Sequence, residues 1–369
     1  MRFKTLGQFA TTLMNRSRFG NLGGITFGGK RDLYEALGYA RKLFPADYRS
    51  RYLRNAVAAR IVEAYPKDTW RGGGELVEDE DPQIETQFET AWNELNKRLN
   101  VWPLFQKVDI LAGLGRFAVI LLGAPGKMGE PLESATAEGL LYLSVFAEED
   151  ATVQEFENDA ENPRYGLPRF YAVSRVQPGI STSVNSRQAG KRVHFSRIIH
   201  VADGLLDDPV YGTPRLERCW NLIDDLEKVT GGGAEAFWRR ADGGTQIDLD
   251  PTLDLTPAQT DEMKAETEDF VNGMKRFIRT RGVKLNRMGS DVADLKGPTE
   301  AIISQISAGT GIPQRILLGS EQAKLASLQD RSNWDGRVEA RRAEFAEPFI
   351  VRAFVDRMID LGVLPQPVK

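Results

Sequence analysis

Apolar positions recur along the chain with a changing period, and the changes divide it into stretches. Between residues 47 and 65, Tyr52, Val57, Ile61 and Val62 share one helical face, and Pro66 is expected to stop the helix. The next pattern is the cleanest in the chain: Ile84, Phe88, Trp92, Leu95 and Leu99 recur at spacings of four and three. A further helix follows Trp102-Pro103 and ends near Gly113–Gly115. Then the pattern turns strand-like, with runs at Arg116–Leu122, Leu140–Phe146, Arg169–Val176 and His194–Val201 separated by Gly, Pro, Asn and Asp. Helices first and strands later predict an α+β unit over residues 1–210.

From residue 213 the pattern is helical again. Thr213-Pro214 reads as an N-cap with proline at the first helical position, and Leu216, Trp220, Ile223 and Leu226 mark one face. Gly231, Gly232 and Gly233 interrupt it; three glycines forfeit roughly 2–3 kcal/mol of helix propensity relative to alanine. They imply either a helix end or a close approach of another backbone. Residues 240–255 read as a loop with a short strand. Thr256-Pro257-Ala258-Gln259 is a capping box opening a helix with Met263, Phe270, Met274 and Phe277, and Val283–Arg287 is strand-like. Pro298–Ser307 reads as a short helix and Asn333–Leu361 as a long one carrying Trp334, Val338, Phe345, Phe349 and Ile350, with a kink at Pro348.

Between those two helices stands "SAGTGIPQRILLGSEQAKLASLQDRSNWDGRV", residues 307–338. It predicts a helix stop at Gly309–Gly311, a turn at Ile312-Pro313, an apolar anchor at Ile316-Leu317-Leu318 and a hinge at Gly319. Ser320–Leu328 then reads as small and polar with no broad apolar face, a segment presented to something rather than packed.

Composition narrows the chemistry. A chain of 369 residues, 41% hydrophobic, can bury more than one core. Its net charge of −4 gives no global basic field, although residues 1–60 hold 12 Lys/Arg against 3 Asp/Glu. That basic part is open to two readings, contact with an acidic partner or a solvated arm. Residues 1–30, with Gly20, Gly23, Gly24, Gly28 and Gly29, read as a flexible arm. One cysteine, Cys219, rules out an internal disulfide, and two histidines leave too few ligands for a structural zinc. No apolar run is long enough to cross a membrane as a helix, and the chain reads as soluble and intracellular.

Candidate catalytic motifs are weak. "GITFGGKR" from Gly24 misses a phosphate-binding loop at its last position, where Arg31 replaces the hydroxyl residue, and "GAPGKM" (123–128) misses it twice. His194-Phe195-Ser196 resembles half of a two-histidine phosphodiesterase, but His200 is followed by Val201-Ala202 and supplies no second half. Glu75–Asp81 reads as a solvated loop, and no Gly-x-Ser-x-Gly turn is present. The sequence therefore predicts no enzyme, no cofactor and no metal.

Four stretches carry a resemblance: "YLRNAVAARIVEAYPKDTWRGG" (52–73), "LAGLGRFAVILLG" (111–123), "FSRIIHVADGLLDDPVYGTPRLERCWNLID" (195–224) and "ISQISAGTGIPQRILLGSEQAKLASLQDRSNW" (303–334). In order and spacing the chain resembles tailed-bacteriophage portal proteins, in a group close to a domain found beside some anti-defence phosphodiesterases. The resemblance implies a wing, stem and clip architecture: wing over 31–212, outgoing stem helix 213–240, clip 241–296, returning stem helix 297–310. A second wing part follows over 311–369, with a tunnel loop at 318–332 and a long helix at 333–360. It further implies a ring, usually of twelve subunits, at one capsid vertex. Such a ring is the conduit for genome packaging and ejection.

Implied partners are further copies of the chain, double-stranded DNA read without sequence preference, the terminase large subunit, head-completion adaptor proteins, and the major capsid and scaffold proteins. No membrane is implied. The location is the virion, after assembly in the bacterial cytoplasm. On this chain the tunnel lining falls to Ser320, Glu321, Gln322, Lys324, Ser327, Gln329 and Arg331, hinged by Gly311, Pro313 and Gly319, with close stem packing at Gly231, Gly232 and Gly233. Weak phosphate contact suits a wall along which DNA slides, because dense Lys/Arg pairing would hold it. Related chains continue into a helical crown after the wing helix, whereas here the crown is absent or the chain shortened. Two other classes remain open from the sequence, a phosphodiesterase using His194 and Ser196 and a DNA-binding module using the basic N-terminal part.

Overall fold

The computed structural model describes residues 21–22, 25–26, 32–78, 85–174, 190–241, 245–249, 256–271, 283–287, 294–319 and 324–368. The basic segment before residue 21, most of the "GITFGGKR" stretch and the acidic tip at 79–84 lie outside them. The chain divides into two compact units, residues 1–223 with 304–369, and Asp224–Ile303.

The first unit opens with a two-residue ribbon, β1 (Asn21–Leu22) and β2 (Ile25–Thr26), and a short helix α1 (Leu33–Leu37). The expected single helix over 47–65 is two helices, α2 (Pro45–Arg54) and α3 (Ala56–Thr69). Asn55 makes the break: its backbone is extended, and its side chain accepts from the Ala58 amide at 2.9 Å, capping α3. Nor does Pro66 stop α3, which runs one more turn past it. A proline there leaves the carbonyl four residues earlier without its helical donor. That carbonyl, on Val62, accepts from Arg215 Nη1 at 2.8 Å, so a distant guanidinium replaces the missing amide.

Helix α4 (Gln87–Leu99) starts with a Thr86/Glu89 capping box and buries Phe88, Trp92 and Leu95 as its period predicts. Asn100, at φ 53°, turns the chain into α5 (Val101–Leu114), which is buried at Val101, Phe105, Val108, Asp109 and Ala112.

Strand β3 (Ala118–Gly123) is buried at every position and lies between β4 (Tyr142–Ala147) and β8 (Ile198–Val201), both antiparallel. A second antiparallel sheet has the order β5 (Ala151–Phe156), β6 (Pro168–Val173), β7 (Lys191–His194). The run read as one strand over His194–Val201 is therefore two strands of different sheets, joined by a single 3₁₀ turn at Phe195–Arg197. Strand β5 falls in an acidic stretch with no clear alternation. The alternation of β3 divides the core. Ala118, Ile120 and Leu122 join the helical side with Trp92, Phe105, Phe354 and Met358. Phe117, Val119 and Leu121 join Tyr171 and Val193 of the second sheet.

The second unit is an excursion. It takes most of α6 (Trp220–Ala241), then β9 (Thr245–Leu249), α7 (Pro257–Val271), β10 (Val283–Arg287) and the first half of α8 (Lys296–Thr310). Strands β9 and β10 pair antiparallel with Ile247 opposite Leu285. Gln259 Oε1 accepts from the Thr256 amide at 3.1 Å, as the capping box requires. Thr213-Pro214 does not begin α6. It lies before a 3₁₀ turn, Glu217–Cys219, that leads into the helix. The glycines at 231–233 do not end α6 either.

After α8 the first unit resumes with α9 (Gln314–Leu318), α10 (Lys324–Arg341), an eleven-residue π-helical segment Arg342–Arg352, and α11 (Ala353–Asp360). Pro348 lies inside the π segment. The widened turns accommodate its ring and absent amide.

Candidate functional site

The segment from Ser307 to Arg342 is held by its ends. Gly311, at φ 70°, reverses the chain after α8, and Ser307 Oγ donates to the Ile312 carbonyl at 2.6 Å. Ile312 and Leu317 are buried, while Leu318, the third member of the expected anchor, is 56% exposed. Pro313 precedes α9 with an extended ψ of 141°, and Gly319, at φ 67°, closes that helix. Arg60 of α3 donates to the Ile316 carbonyl from Nε at 3.1 Å and from Nη2 at 3.0 Å. Arg337 of α10 donates to the Gly311 carbonyl, and Arg315 pairs with Asp330 at 3.5 Å. The predicted hinge glycines thus take the left-handed backbone that favours glycine, on either side of a pinned five-residue helix.

Of the expected tunnel lining, Ser320, Glu321 and Gln322 lie outside the described residues. The others correct the loop boundary: Lys324, Ser327, Gln329 and Arg331 belong to α10, which starts nine residues before the expected helix. Its first turns, "KLASLQDR", are good helix formers, and Leu325 and Leu328 stand three apart. Reading the stretch as polar missed that pair. Gln329 and Arg331 are exposed.

Helix α10 is anchored by Trp334, on its expected apolar face, and by partners not singled out from the sequence. Trp334 is buried, stacks at 4.5 Å from Tyr65 and donates from Nε1 to Asp68 at 2.7 Å. Arg342 donates to the Asp68 and Thr69 carbonyls at 3.0 and 2.9 Å, covering the open C-terminal end of α3. Beneath lies a charge network. Asp109, wholly buried in α5, accepts from Trp70 Nε1 at 2.8 Å, Arg215 Nη2 at 2.7 Å, and Arg341 Nη1 and Nη2 at 2.8 and 2.7 Å. Asp203, just beyond β8, pairs with the same two arginines. Those guanidiniums outweigh the effect of its burial and bring its pKa down to about 2. The two arginines and two aspartates sum to zero charge, which suits a buried set. Above the network is a cleft of about 490 Å³ lined by Tyr65, Arg215, Arg218, Arg337, Arg341 and Glu344, among others.

The catalytic candidates are used structurally. His194 Nδ1 accepts from Ser196, whose hydroxyl lies 2.9 Å away and itself accepts from the Leu132 amide at 2.7 Å. Burial, together with Arg169, Arg164, Arg357 and Arg197, lowers the pKa of His194 and favours neutral imidazole. His200 Nε2 donates to the Val210 carbonyl at 2.8 Å, its ring stacks on Phe117, and burial lowers its pKa also. In "GAPGKM", the carbonyls of Ala124 and Pro125 accept from the buried Arg197 at 2.9 and 3.0 Å. That loop turns acceptors inward where a phosphate cradle turns amides. Among the described residues no group of His, Cys, Asp and Glu could hold a metal, and no helix is long and apolar enough to cross a membrane.

In α6, Gly231 and Gly232 have open space where a side chain would start, whereas Gly233 faces Leu295. Its close packing is therefore internal to the second unit.

A helix-and-sheet body, interrupted by a helical excursion and closed by a tethered loop and a long helix, defines a portal-type fold. The family model described as "Phage portal protein" matches residues 46–367, so the chain belongs to the phage portal protein family. Curated protein sequences give no match. Among solved structures, a chain of the "Virion of native gene transfer agent (GTA) particle" is similar with a TM-score of 0.58 and 14% identity, over 85% of this chain and 82% of that one. One from the "Neck of native GTA particle computed with C12 symmetry" has a TM-score of 0.56 and 16% identity, over 86% and 81%. One from the "Neck of empty GTA particle computed with C6 symmetry" has 0.53 and 15%, over 82% and 80%.

Proposed function

We propose that copies of this chain assemble head to tail into a ring of twelve at the neck of a virion, and that double-stranded DNA passes along its axis during packaging and ejection. Membership of the portal family over residues 46–367 carries this reading. The fold similarity to chains from particle necks of C12 and C6 symmetry supports the ring. The terminase large subunit, head-completion adaptors, and major capsid and scaffold proteins would dock on it, with assembly in the host cytoplasm.

The segment from Gly319 into α10 is the stretch set against the DNA. Its two ends are tethered by Arg60, Arg337 and Trp334, so residues between them can face a channel without loosening the body. Across residues 318–332 the charges are Glu321, Lys324, Asp330, Arg331 and none stronger, a sum near zero that lets phosphates pass without counterion-driven retention.

Particle mass by native mass spectrometry, with negative-stain images, tests the ring. A species of about twelve chains with a central hole is expected. A protein that stays monomeric at every concentration, and also with capsid and scaffold proteins added, would sink the proposal.

A further inference from the structure

Between α3, α9 and α10 the first unit forms a second cleft, of about 350 Å³, whose charges are unevenly used. Five arginines line it against Asp68, Asp330, Asp335 and Glu339, a surplus of one positive charge. Part of that charge is already engaged. Arg342 uses Nε and Nη2 on the Thr69 and Asp68 carbonyls and Nη1 on Glu339. Arg60 uses Nε and Nη2 on the Ile316 carbonyl. Asp68 accepts from the Trp334 indole.

What is left over is mostly donor. Arg315 faces Asp330 through Nε, at 3.5 Å, while its Nη1 is buried and has no hydrogen-bond partner. A buried donor left unmet costs about 1–3 kcal/mol, and more when it is charged. Arg71, in the turn after α3, and Arg331, in α10, make no hydrogen bond or ion pair among the described residues. Arg331 and Asp335 stand four apart on one helix, the ordinary spacing for an ion pair, and still do not pair. Three separate elements therefore bring guanidiniums with unused donors to one cleft. Donors from three elements suit an acceptor that takes hydrogen bonds in several directions. A tetrahedral phosphate does so, whereas a planar carboxylate is matched by a single guanidinium fork.

We propose that this cleft holds a phosphate oxyanion, with Arg315 Nη1 as its buried donor and Arg71 and Arg331 as its exposed ones. The phosphate is free or part of a DNA backbone, since both present the same oxygens. Bound there, it ties α9 to α10 and to the turn after α3, on both sides of Gly319. The inference stands apart from the ring reading, because every residue of the site belongs to one chain.

Equilibrium dialysis of the full chain against radiolabelled inorganic phosphate, at an ionic strength fixed with sodium chloride, decides it. One phosphate per chain is expected. Arg315→Met and Arg71→Met should each weaken binding by about tenfold or more, the effect of one charge-assisted hydrogen bond. Arg71 has no partner to lose, so its variant should fold as the parent does even if Arg315→Met loosens α9. Arg54, exposed on α2 and outside the cleft, supplies the control, and Arg54→Met should bind like the parent. No bound phosphate in the parent, or binding unchanged in either cleft variant, overturns the proposal. Equal weakening by Arg54→Met would mean a diffuse surface effect and overturns it as well.

Amide exchange gives a second readout. Phosphate should slow exchange over residues 314–319 in the parent and not in Arg315→Met; equal slowing in both would refute the tie. A short DNA duplex separates the two sources. Displacement of phosphate by duplex, weakening steeply with added salt, assigns the site to the DNA backbone, and no displacement assigns it to free phosphate. A ring that binds no phosphate would refute the site alone, and a monomer that binds it would leave the site standing without the ring.

Discussion

Asp109 shows how one side chain can organise distant parts of the chain. It is fully buried and paired with two arginines, an arrangement that survives in a protein interior only when the partners are fixed. Asp109→Ala leaves both guanidiniums underneutralised and should cost about 3–5 kcal/mol, seen as a large fall in melting temperature. A variant within about 0.5 kcal/mol of the parent would show that the network contributes little.

Asp203 gives the pH dependence. Its folded pKa is about 2 against an ordinary 3.8, so the folded state binds the proton less readily than the unfolded one. A depressed carboxylate adds stability that is fully present above the unfolded value and disappears as pH falls through the folded one. Stability should therefore drop between about pH 4 and pH 2, by about 2 kcal/mol from this group. Asp203→Asn should flatten that part of the profile while lowering stability at pH 7; an unchanged slope would count against the assignment. In the sequence, Asp109 is legible as an acid on the apolar face of α5, one turn after Phe105. Its partners are not, because they lie 106 and 232 residues away.

At the level of elements, the sequence placed most helices and strands but misjudged several boundaries, each for a local reason. A continuous apolar face suggested one helix where Asn55 inserts a break and caps the second. Asn55→Ala should cost about 1 kcal/mol, measured by denaturant unfolding. Pro66 looked like a stop because a proline forbids its own hydrogen bond. The guanidinium of Arg215 repairs the carbonyl that is left over, which no local rule anticipates. The loop after Gly319 looked long because Leu325 and Leu328 were outnumbered by polar neighbours.

The tether on α9 is separable from the rest. Arg60→Met removes both donors to the Ile316 carbonyl and keeps the aliphatic stem. Amide exchange over residues 314–319 should accelerate by about tenfold or more while global stability changes little. Unaltered exchange would show that burial of Ile312 and Leu317 alone holds the segment.

On the scale of the whole molecule, the two core clusters formed on the two sides of β3 lie, among the described residues, within the first unit. Five of the six tryptophans are there as well. The chain leaves and re-enters this unit at adjoining points, since Gly309 lies against Cys219. Replacing residues 224–303 by a short glycine-serine linker should therefore leave a cooperatively folding unit with its near-ultraviolet tryptophan signal intact. Loss of that signal would mean that the excursion is needed to fold the body.

What the sequence determined by itself was the α+β class, the helical face of α4, the strand run at β3, the glycine breaks on either side of α9, and the order of motifs shared with portal proteins. These rest on period and on backbone preference, which act over a few residues. Only the tertiary structure decided the division of the strands between two sheets, the start of α10, and the meeting of Asp109, Asp203, Arg215 and Arg341. It also separated Gly233, which packs inside its own unit, from Gly231 and Gly232, which do not. Those outcomes depend on which distant groups satisfy a buried charge, an unpaired carbonyl or an empty position. That choice is made by packing in three dimensions, after local preferences have set which elements there are to pack.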